Sequence, residues 1–303
     1  MSEGDSLVIR LTYSIHFMSS TSIEKSVSPR DVDGWKKVKP FLVDHCNKRP
    51  INYIISEPEL GSSKKAVFYL HGLGGGYKET TSIEHLVCSY LGYNFVRLEQ
   101  PLMTIDDPLQ LVSTAVGINP GTLFQLFHNT SKLVNEVAKV EEFEKVATVG
   151  ISYGGLSSIV NIIRENVVSK SFISISTPDV ALAIERFDKL FDSTVEKKFA
   201  KVLSRNFRVE GRNIRDGGGL FRNYWNDINP WVDPSNYSAE VMYVGNENDP
   251  IMSSGSIEHY KKWMSKNRGF DNIEINLYSG KKTHETLPLG FKKPIFLDFL
   301  KDL

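Results

Sequence analysis

The apolar positions of this chain change rhythm along its length. Near the start, LVIRLTYSIHF (Leu7 to Phe17) and INYIIS (Ile51 to Ser56) carry the β-branched and aromatic content of strands, and KAVFYL (Lys65 to Leu70) follows after the loop EPELGSS. From there strand and helix periods alternate. Thr81 to Leu91 has helical spacing, with Thr81 and Glu84 placed as a capping box. NFVRL (Asn94 to Leu98) predicts a strand, Gly121 to Phe143 a helix, and the apolar run Val146 to Val149 a further strand. A helical run to about Val168 and the strand SFISIS (Ser171 to Ser176) come next.

Apolar strands separated by helices imply an α/β architecture: a mostly parallel sheet covered on both faces, with ligands beyond the carboxyl ends of its strands. After Pro178 the rhythm breaks. Residues 179–238 hold helical patterns (VALAIERFDKLF, VEKKFAKVLSRNF), three glycines at Gly217 to Gly219 and an aromatic cluster, but no strand. Strand signals then resume with VMYV (Val241 to Val244), a helix near Ser256 to Ser265, the strand IEINLY (Ile273 to Tyr278) and a closing helix from about Pro288 to Leu303. The expected organisation is a core made of 1–178 and 239–303, interrupted by 179–238 as an insertion. Residues 1–50 contribute an extra strand or hairpin to that core. No internal repeat or low-complexity tract is visible.

Composition changes this picture little. With 303 residues and 41% hydrophobic content there is enough apolar material for a large core. Lysine plus arginine equals aspartate plus glutamate at 36 each, so no overall field favours nucleic acid, an anionic membrane or a strongly acidic partner. Cys46 and Cys88 are too few for a disulfide framework and suggest no metal site; two free thiols in a reducing compartment are expected. The first residues, MSEGDSLVIRLTYSIHFMSS, are acidic, lack a basic n-region and interrupt their apolar run at Arg10 and His16, unlike a signal peptide. No window approaches the roughly 20 apolar residues of a membrane helix, so no membrane span and a cytoplasmic location are expected.

Candidate chemistry centres on VATVGISYGGLSSIV, Val146 to Val160. A GxSxG pattern alone arises by chance in roughly one chain in seven of this length, so its context decides. Ser152 stands between a predicted strand and a predicted helix, where a sharp elbow would expose its hydroxyl and where Gly150 and Gly154 remove side chains that would clash. Asp249 follows VMYVGNEN just past a later strand, and His284 lies in SGKKTHETLP after the last one. A serine hydroxyl needs a base to take its proton; an imidazole titrating near neutrality can do that, and a carboxylate fixes the imidazole's tautomer. Charge on the carbonyl oxygen needs two backbone donors. One is the N–H of Tyr153 at the helix mouth; the other is expected in HGLGGG, His71 to Gly76, at Leu73. That loop is no Walker A motif, since Tyr77 and Glu79 stand where glycine and serine or threonine are needed, and Tyr77 also breaks the dinucleotide fingerprint.

On these residues the chain resembles the α/β-hydrolase superfamily. HGLGG, GISYGG, GNENDPI and the late loop histidine fall where that superfamily has its oxyanion loop, nucleophile, acid and base, over about Ile51 to the C-terminus apart from the insertion. The resemblance implies a mostly parallel central sheet flanked by helices, and makes 179–238 a helical cap inserted after strand 6. It favours Asp249 over Glu247 as the acid, because Asp249 precedes Pro-Ile as in the family's usual acid turn. His284 lacks the glycine that often precedes the base in relatives, but His259, the other histidine after the acid strand, falls inside a predicted helix. His71 is expected to be structural.

Phe221, Tyr224, Trp225 and Trp231 could line an apolar substrate pocket or attach the cap to the core. Arg205, Arg208, Arg212, Arg215 and Arg222 could meet a carboxylate or phosphate on a substrate, but, interspersed with Glu210 and Asp216, they better fit a solvated helix face. The expected activity is hydrolysis of a carboxylic ester or related acyl bond of a small molecule through an acyl-enzyme, with no metal or organic cofactor required. A thioesterase, amidase or small peptidase would use the same parts. A rival of another class is a ligand receptor or interaction protein on a hydrolase scaffold.

Overall fold

The structure, a computed structural model, describes residues 22–27, 51–58, 61, 63–72, 78, 81–100, 120–164, 167–176, 205, 208–209, 212, 239–249, 272–280 and 289–303. Eight strands among them form one sheet: β1 Ser22–Val27, β2 Ile51–Ser56, β3 Lys65–Leu70, β4 Asn94–Leu98, β5 Lys145–Ile151, β6 Val168–Ser174, β7 Glu240–Asn246 and β8 Ile273–Tyr278. The order across the sheet is β1-β2-β4-β3-β5-β6-β7-β8. β2 is antiparallel to both of its neighbours, and every pairing from β4 to β8 is parallel. The helices with described bounds are α1 Ser82–His85, which runs on into a π-helical turn at Leu86–Leu91, then α2 Pro120–Val140, α3 Tyr153–Arg164 and α4 Leu289–Leu300.

Most of this follows from the apolar rhythm, and the departures have local causes. The sheet draws Val168 into a pair with Val146, so β6 starts early and α3 stops at Arg164, short of the expected Val168. The expected single helix over Thr81 to Leu91 widens after its first turn and closes at Gly92, whose φ of 67° provides a left-handed cap. β1 occupies SIEKSV, which has no strong apolar alternation; it pairs along the whole of β2, from Ser22 opposite Ser56 to Val27 opposite Ile51. The strand expected at Leu7 to Phe17 and the helix near Ser256 to Ser265 lie outside the described residues. Within the insertion, Arg205, Arg208, Val209 and Arg212 are helical and exposed.

The two faces of the sheet are built differently. On one, Ala147, Val149 and Ile151 of β5 join Ile83, Leu86, Val87, Phe172, Met242, Val244, Phe296 and Leu300 in one apolar core. Each large side chain there contributes about 1.5–3 kcal/mol on burial. Phe172 and Phe296 meet edge to face at 5.1 Å. On the other face, α3 packs on β3, β5 and β6, with α2 outside it. That interface uses small and hydroxyl residues: Ser157 and Ser158 are fully buried, Thr148 Oγ1 and Ser171 Oγ lie 2.8 Å apart, and Asn161 Nδ2 donates to the Ser131 carbonyl at 3.0 Å.

The strand order places the functional end of the sheet. From β3 the chain moves outward to β4, then returns to pair β5 against the opposite edge of β3. The loops leaving β3 and β5 therefore diverge from adjacent strand ends, the crevice in which open α/β sheets bind ligands.

Candidate active site

Ser152 sits where β5 turns into α3, with φ of 53°. A non-glycine residue in the left-handed region is held there against its own sterics and must be fixed by its surroundings. Three contacts do this. Its N–H donates to the Ser174 carbonyl on neighbouring β6 at 2.9 Å, and its own carbonyl accepts from Gly155 N–H at 3.0 Å and from Leu156 N–H at 3.4 Å. The glycines are steric requirements: a Cβ at Gly150 would lie 2.5 Å from the Gly154 carbonyl oxygen, and one at Gly155 would lie 2.5 Å from Ser176 Cβ. A Cβ at Gly154 would overlap the backbone carbonyl of Leu70. Gly154 thus lets the helix that carries the elbow close on the end of β3.

Tyr153 opens α3, so its amide belongs to the first helical turn, whose N–H groups have no intrahelical acceptor and carry the positive end of the helix dipole. Its ring is buried against Phe127 of α2 at 4.7 Å, and burial raises its phenol well above the ordinary tyrosine range. The loop leaving β3 reaches the same elbow. A Cβ at Gly72 would stand 3.5 Å from Ser152 Cβ and 3.4 Å from the Ile151 carbonyl oxygen. Buried His71 places Nδ1 2.8 Å from the Gly72 carbonyl oxygen, and its own carbonyl accepts from Gln100 Nε2 at 2.8 Å. Gln100 lies fully buried just past β4, and its Oε1 is 3.5 Å from Ser157 Oγ on α3. It spans the loop after β3 and the helix after the elbow.

Asp249 lies past the carboxyl end of β7, two strands from β5, and is fully buried. A carboxylate in such a place must be paired or hydrogen-bonded to be tolerated. Its N–H donates to the Asn246 carbonyl at 3.1 Å. Glu247, the competing acid, is only partly buried, and its N–H donates to the Tyr278 carbonyl at the end of β8. Parallel pairing through β5, β6, β7 and β8 puts Ser152 and Asp249 at the carboxyl end of the sheet, and residues 278–280, which lead toward His284, leave β8 at the same end.

No family model and no curated protein matches the chain. Solved structures do. A cold-adapted esterase from an Arctic intertidal metagenomic library shares 13% identity over 93% of this chain and 93% of its own, with a TM-score of 0.54. An esterase from Pyrococcus furiosus shares 15% identity over 93% of this chain and 90% of its own, also at 0.54. An acylaminoacyl peptidase in complex with Z-Gly-Gly-Phe-chloromethyl ketone covers 78% of this chain at 14% identity and a TM-score of 0.51. This chain spans only 36% of that peptidase. The chain has the α/β-hydrolase fold. At such identities the likeness is one of fold.

Within the α/β-hydrolase fold, the structure brings together Ser152, the amide of Tyr153 and Gly72 of the β3 loop, while the Asp249 turn lies at the same carboxyl end of the sheet, two strands away. His284, Leu73, Phe221, Tyr224, Trp225 and Trp231 lie outside the described residues. Among the described residues no group of three or more potential ligands could hold a metal, and no helix is long and apolar enough to cross a membrane. Sequence reasoning missed Gln100 and Asn246. Each stands at or just past a strand end, the position that matters most in this architecture, but neither belongs to a motif.

Proposed function

We propose that the chain is a serine hydrolase that opens an ester or related acyl bond through an acyl-enzyme. The observation that carries this is Ser152 at φ of 53° between β5 and α3, with Gly72 of the β3 loop against its Cβ. In this reading Ser152 Oγ attacks the carbonyl carbon while His284 takes its proton, and Asp249 orients the imidazole and stabilises its cation. The amides of Tyr153 and Leu73 hold the oxyanion. The tetrahedral intermediate collapses as the bond to the leaving group breaks, and the proton on His284 passes to that group. Water then repeats the sequence and releases the acid. None of these steps calls on a metal or organic cofactor. Residues 179–238 serve as a cap after β6, with Phe221, Tyr224, Trp225 and Trp231 as its apolar lining. Esterases and an acylaminoacyl peptidase among the structural neighbours support ester or peptide bonds as the substrate class.

The test is covalent labelling with a fluorophosphonate, with the adduct located by peptide mass spectrometry. Wild type is expected to carry one adduct, on Ser152, and Ser152→Ala none. Hydrolysis of nitrophenyl esters should fall by about 10⁴-fold or more in Ser152→Ala. An unlabelled wild type, or a Ser152→Ala variant with wild-type turnover, rejects the reading. Acyl chain-length profiling with nitrophenyl esters and acyl-thioesters then ranks ester against thioester.

A further inference from the structure

β7 and β8 pair in parallel as far as Asn246 opposite Tyr278, where the regular ladder ends. Hydrogen bonding between the two chain segments continues past that point through one backbone bond and through side chains. Asn246 Oδ1 accepts two backbone N–H groups, from Asn248 in its own turn at 3.1 Å and from Gly280 across the gap at 3.1 Å. Asn248 Nδ2 donates back to the Gly280 carbonyl at 2.7 Å, and Glu247 N–H to the Tyr278 carbonyl at 2.9 Å. The turn is closed by Asp249 N–H on the Asn246 carbonyl at 3.1 Å. An amide oxygen with two lone pairs suits this junction, because it accepts an N–H from each of the two segments at once. Gly280 belongs to the same fit: a Cβ there would overlap the Tyr278 ring and lie 3.4 Å from Asn246 Nδ2.

We infer that Asn246 and Asn248 are positioning residues that lock the acid turn to the segment leading to the base, so that Asp249 and His284 meet in one geometry. The inference rests on the reading of those two residues as acid and base. Asp249 directly follows the Asn246–Asn248 turn, and His284 comes four residues after Gly280 in the sequence. A carboxylate supports an imidazolium best at about 2.7–2.9 Å, and misplacing a catalytic group by an ångström can cost about 100-fold in rate. Two loops joined by a shared side-chain oxygen hold that separation more tightly than two loops anchored only by their own strands.

The test compares Asn246→Ala, Asn246→Asp and Asn248→Ala with wild type, Asp249→Asn and His284→Ala in nitrophenyl ester hydrolysis across pH. Asn248 is exposed, so its variant is expected to fold even if Asn246→Ala does not. Asn246→Ala should lower kcat by about 10–100-fold and Asn248→Ala by about 10-fold, with KM changed by less than about 3-fold. In both, the acid limb of kcat/KM should move to lower pH, because a carboxylate held less closely stabilises the imidazolium less. A merely structural role would reduce the active fraction and leave that limb in place. Asn246→Asp still accepts both N–H groups, so its kcat should return to within about 3-fold of wild type, while its added charge moves the acid limb to higher pH. Wild-type kcat and an unmoved limb in Asn248→Ala, with Asp249→Asn and His284→Ala inactive, overturn the clamp alone. Wild-type activity in Asp249→Asn or His284→Ala overturns the acid and base assignment together with the clamp.

Discussion

Two adjacent strands end on residues that a side chain ordinarily avoids. Ser152 after β5 has φ of 53° and Ile175 after β6 has φ of 46°, and Ile175 N–H donates to the Val244 carbonyl of β7 at 2.9 Å. Each such residue costs about 1–3 kcal/mol that the surrounding packing must offset. The tightest of that packing is at Gly154. Gly154→Ala forces a methyl group into the Leu70 and His71 carbonyls, so a stability loss of about 3 kcal/mol or more, together with loss of ester hydrolysis, is expected in urea unfolding and turnover assays. Ser174 is the opposite case. Among the described residues its Oγ has no hydrogen-bond partner although it is buried, and Ser174 lines a small apolar space with Ile83, Leu86, Val149, Ile151, Phe172 and Phe296. Removing that hydroxyl in Ser174→Ala should raise the unfolding free energy by about 1 kcal/mol, and a lower urea midpoint would refute this account. The glycine requirement was legible at Gly150 and Gly154, because elbow sterics are local. The idle hydroxyl of Ser174 was not, because a serine in SFISIS looks the same whether or not it finds a partner.

At the scale of elements, Thr81 and Glu84 show how a local motif is redirected by its neighbours. Thr81 Oγ1 caps the Glu84 N–H at 3.3 Å, as the capping-box spacing predicts. The Glu84 carboxylate instead accepts from Ser56 Oγ of β2 and lies 3.5 Å from Arg97 Nη2 of β4. Arg97 also donates to the Lys78 carbonyl at 3.2 Å, so one buried pair ties α1, β2, β4 and the segment between β3 and α1 together. Replacing one partner leaves the other charge buried and uncompensated. Arg97→Met is expected to lose about 3–5 kcal/mol, read from urea unfolding, and the double change Arg97→Met with Glu84→Leu to recover much of it. A double variant no more stable than the single one would show that the pair is not the source of the loss. Pairs of this kind escape sequence analysis, since their members lie on different elements and only the sheet order brings them together.

For the whole molecule, burial sets a pH window at the alkaline end. Burial, with a contribution from the Glu84 charge, pushes the Cys88 thiol up to about 12 from its ordinary 9.0. Burial first, and then the hydrogen bond to Glu141, raises Tyr53 above the ordinary tyrosine range as well. Between the unfolded and folded values of each group the folded chain binds more protons than the unfolded one, so stability falls as pH rises. The contribution of Cys88 is complete below about pH 9 and is lost progressively toward pH 12. The urea midpoint should therefore hold level from pH 7 to about 9 and decline above it, and a level midpoint up to pH 11 would contradict this. Native Cys88 should also resist iodoacetamide at neutral pH and react once urea unfolds the chain, because the thiolate is the reactive form.

What the sequence alone determined is what short-range physics encodes. The alternation of strand and helix, the limits of β2, β3, β4 and β8, the elbow at Ser152 and the place of Asp249 just past a strand end all follow from side-chain period and glycine sterics over a few residues. The tertiary structure decided what depends on distant segments meeting. β1 is a strand because the edge of β2 offers it a ladder, although SIEKSV has little apolar pattern of its own. The crevice lies between the ends of β3 and β5 because the strand order reverses there. Gln100 on the His71 carbonyl, and Asn246 between Asn248 and Gly280, are recruited by chain segments 29 and 34 residues away in sequence. A polar side chain at a strand end carries no mark of the loop it will hold, and only the completed sheet supplies the partner.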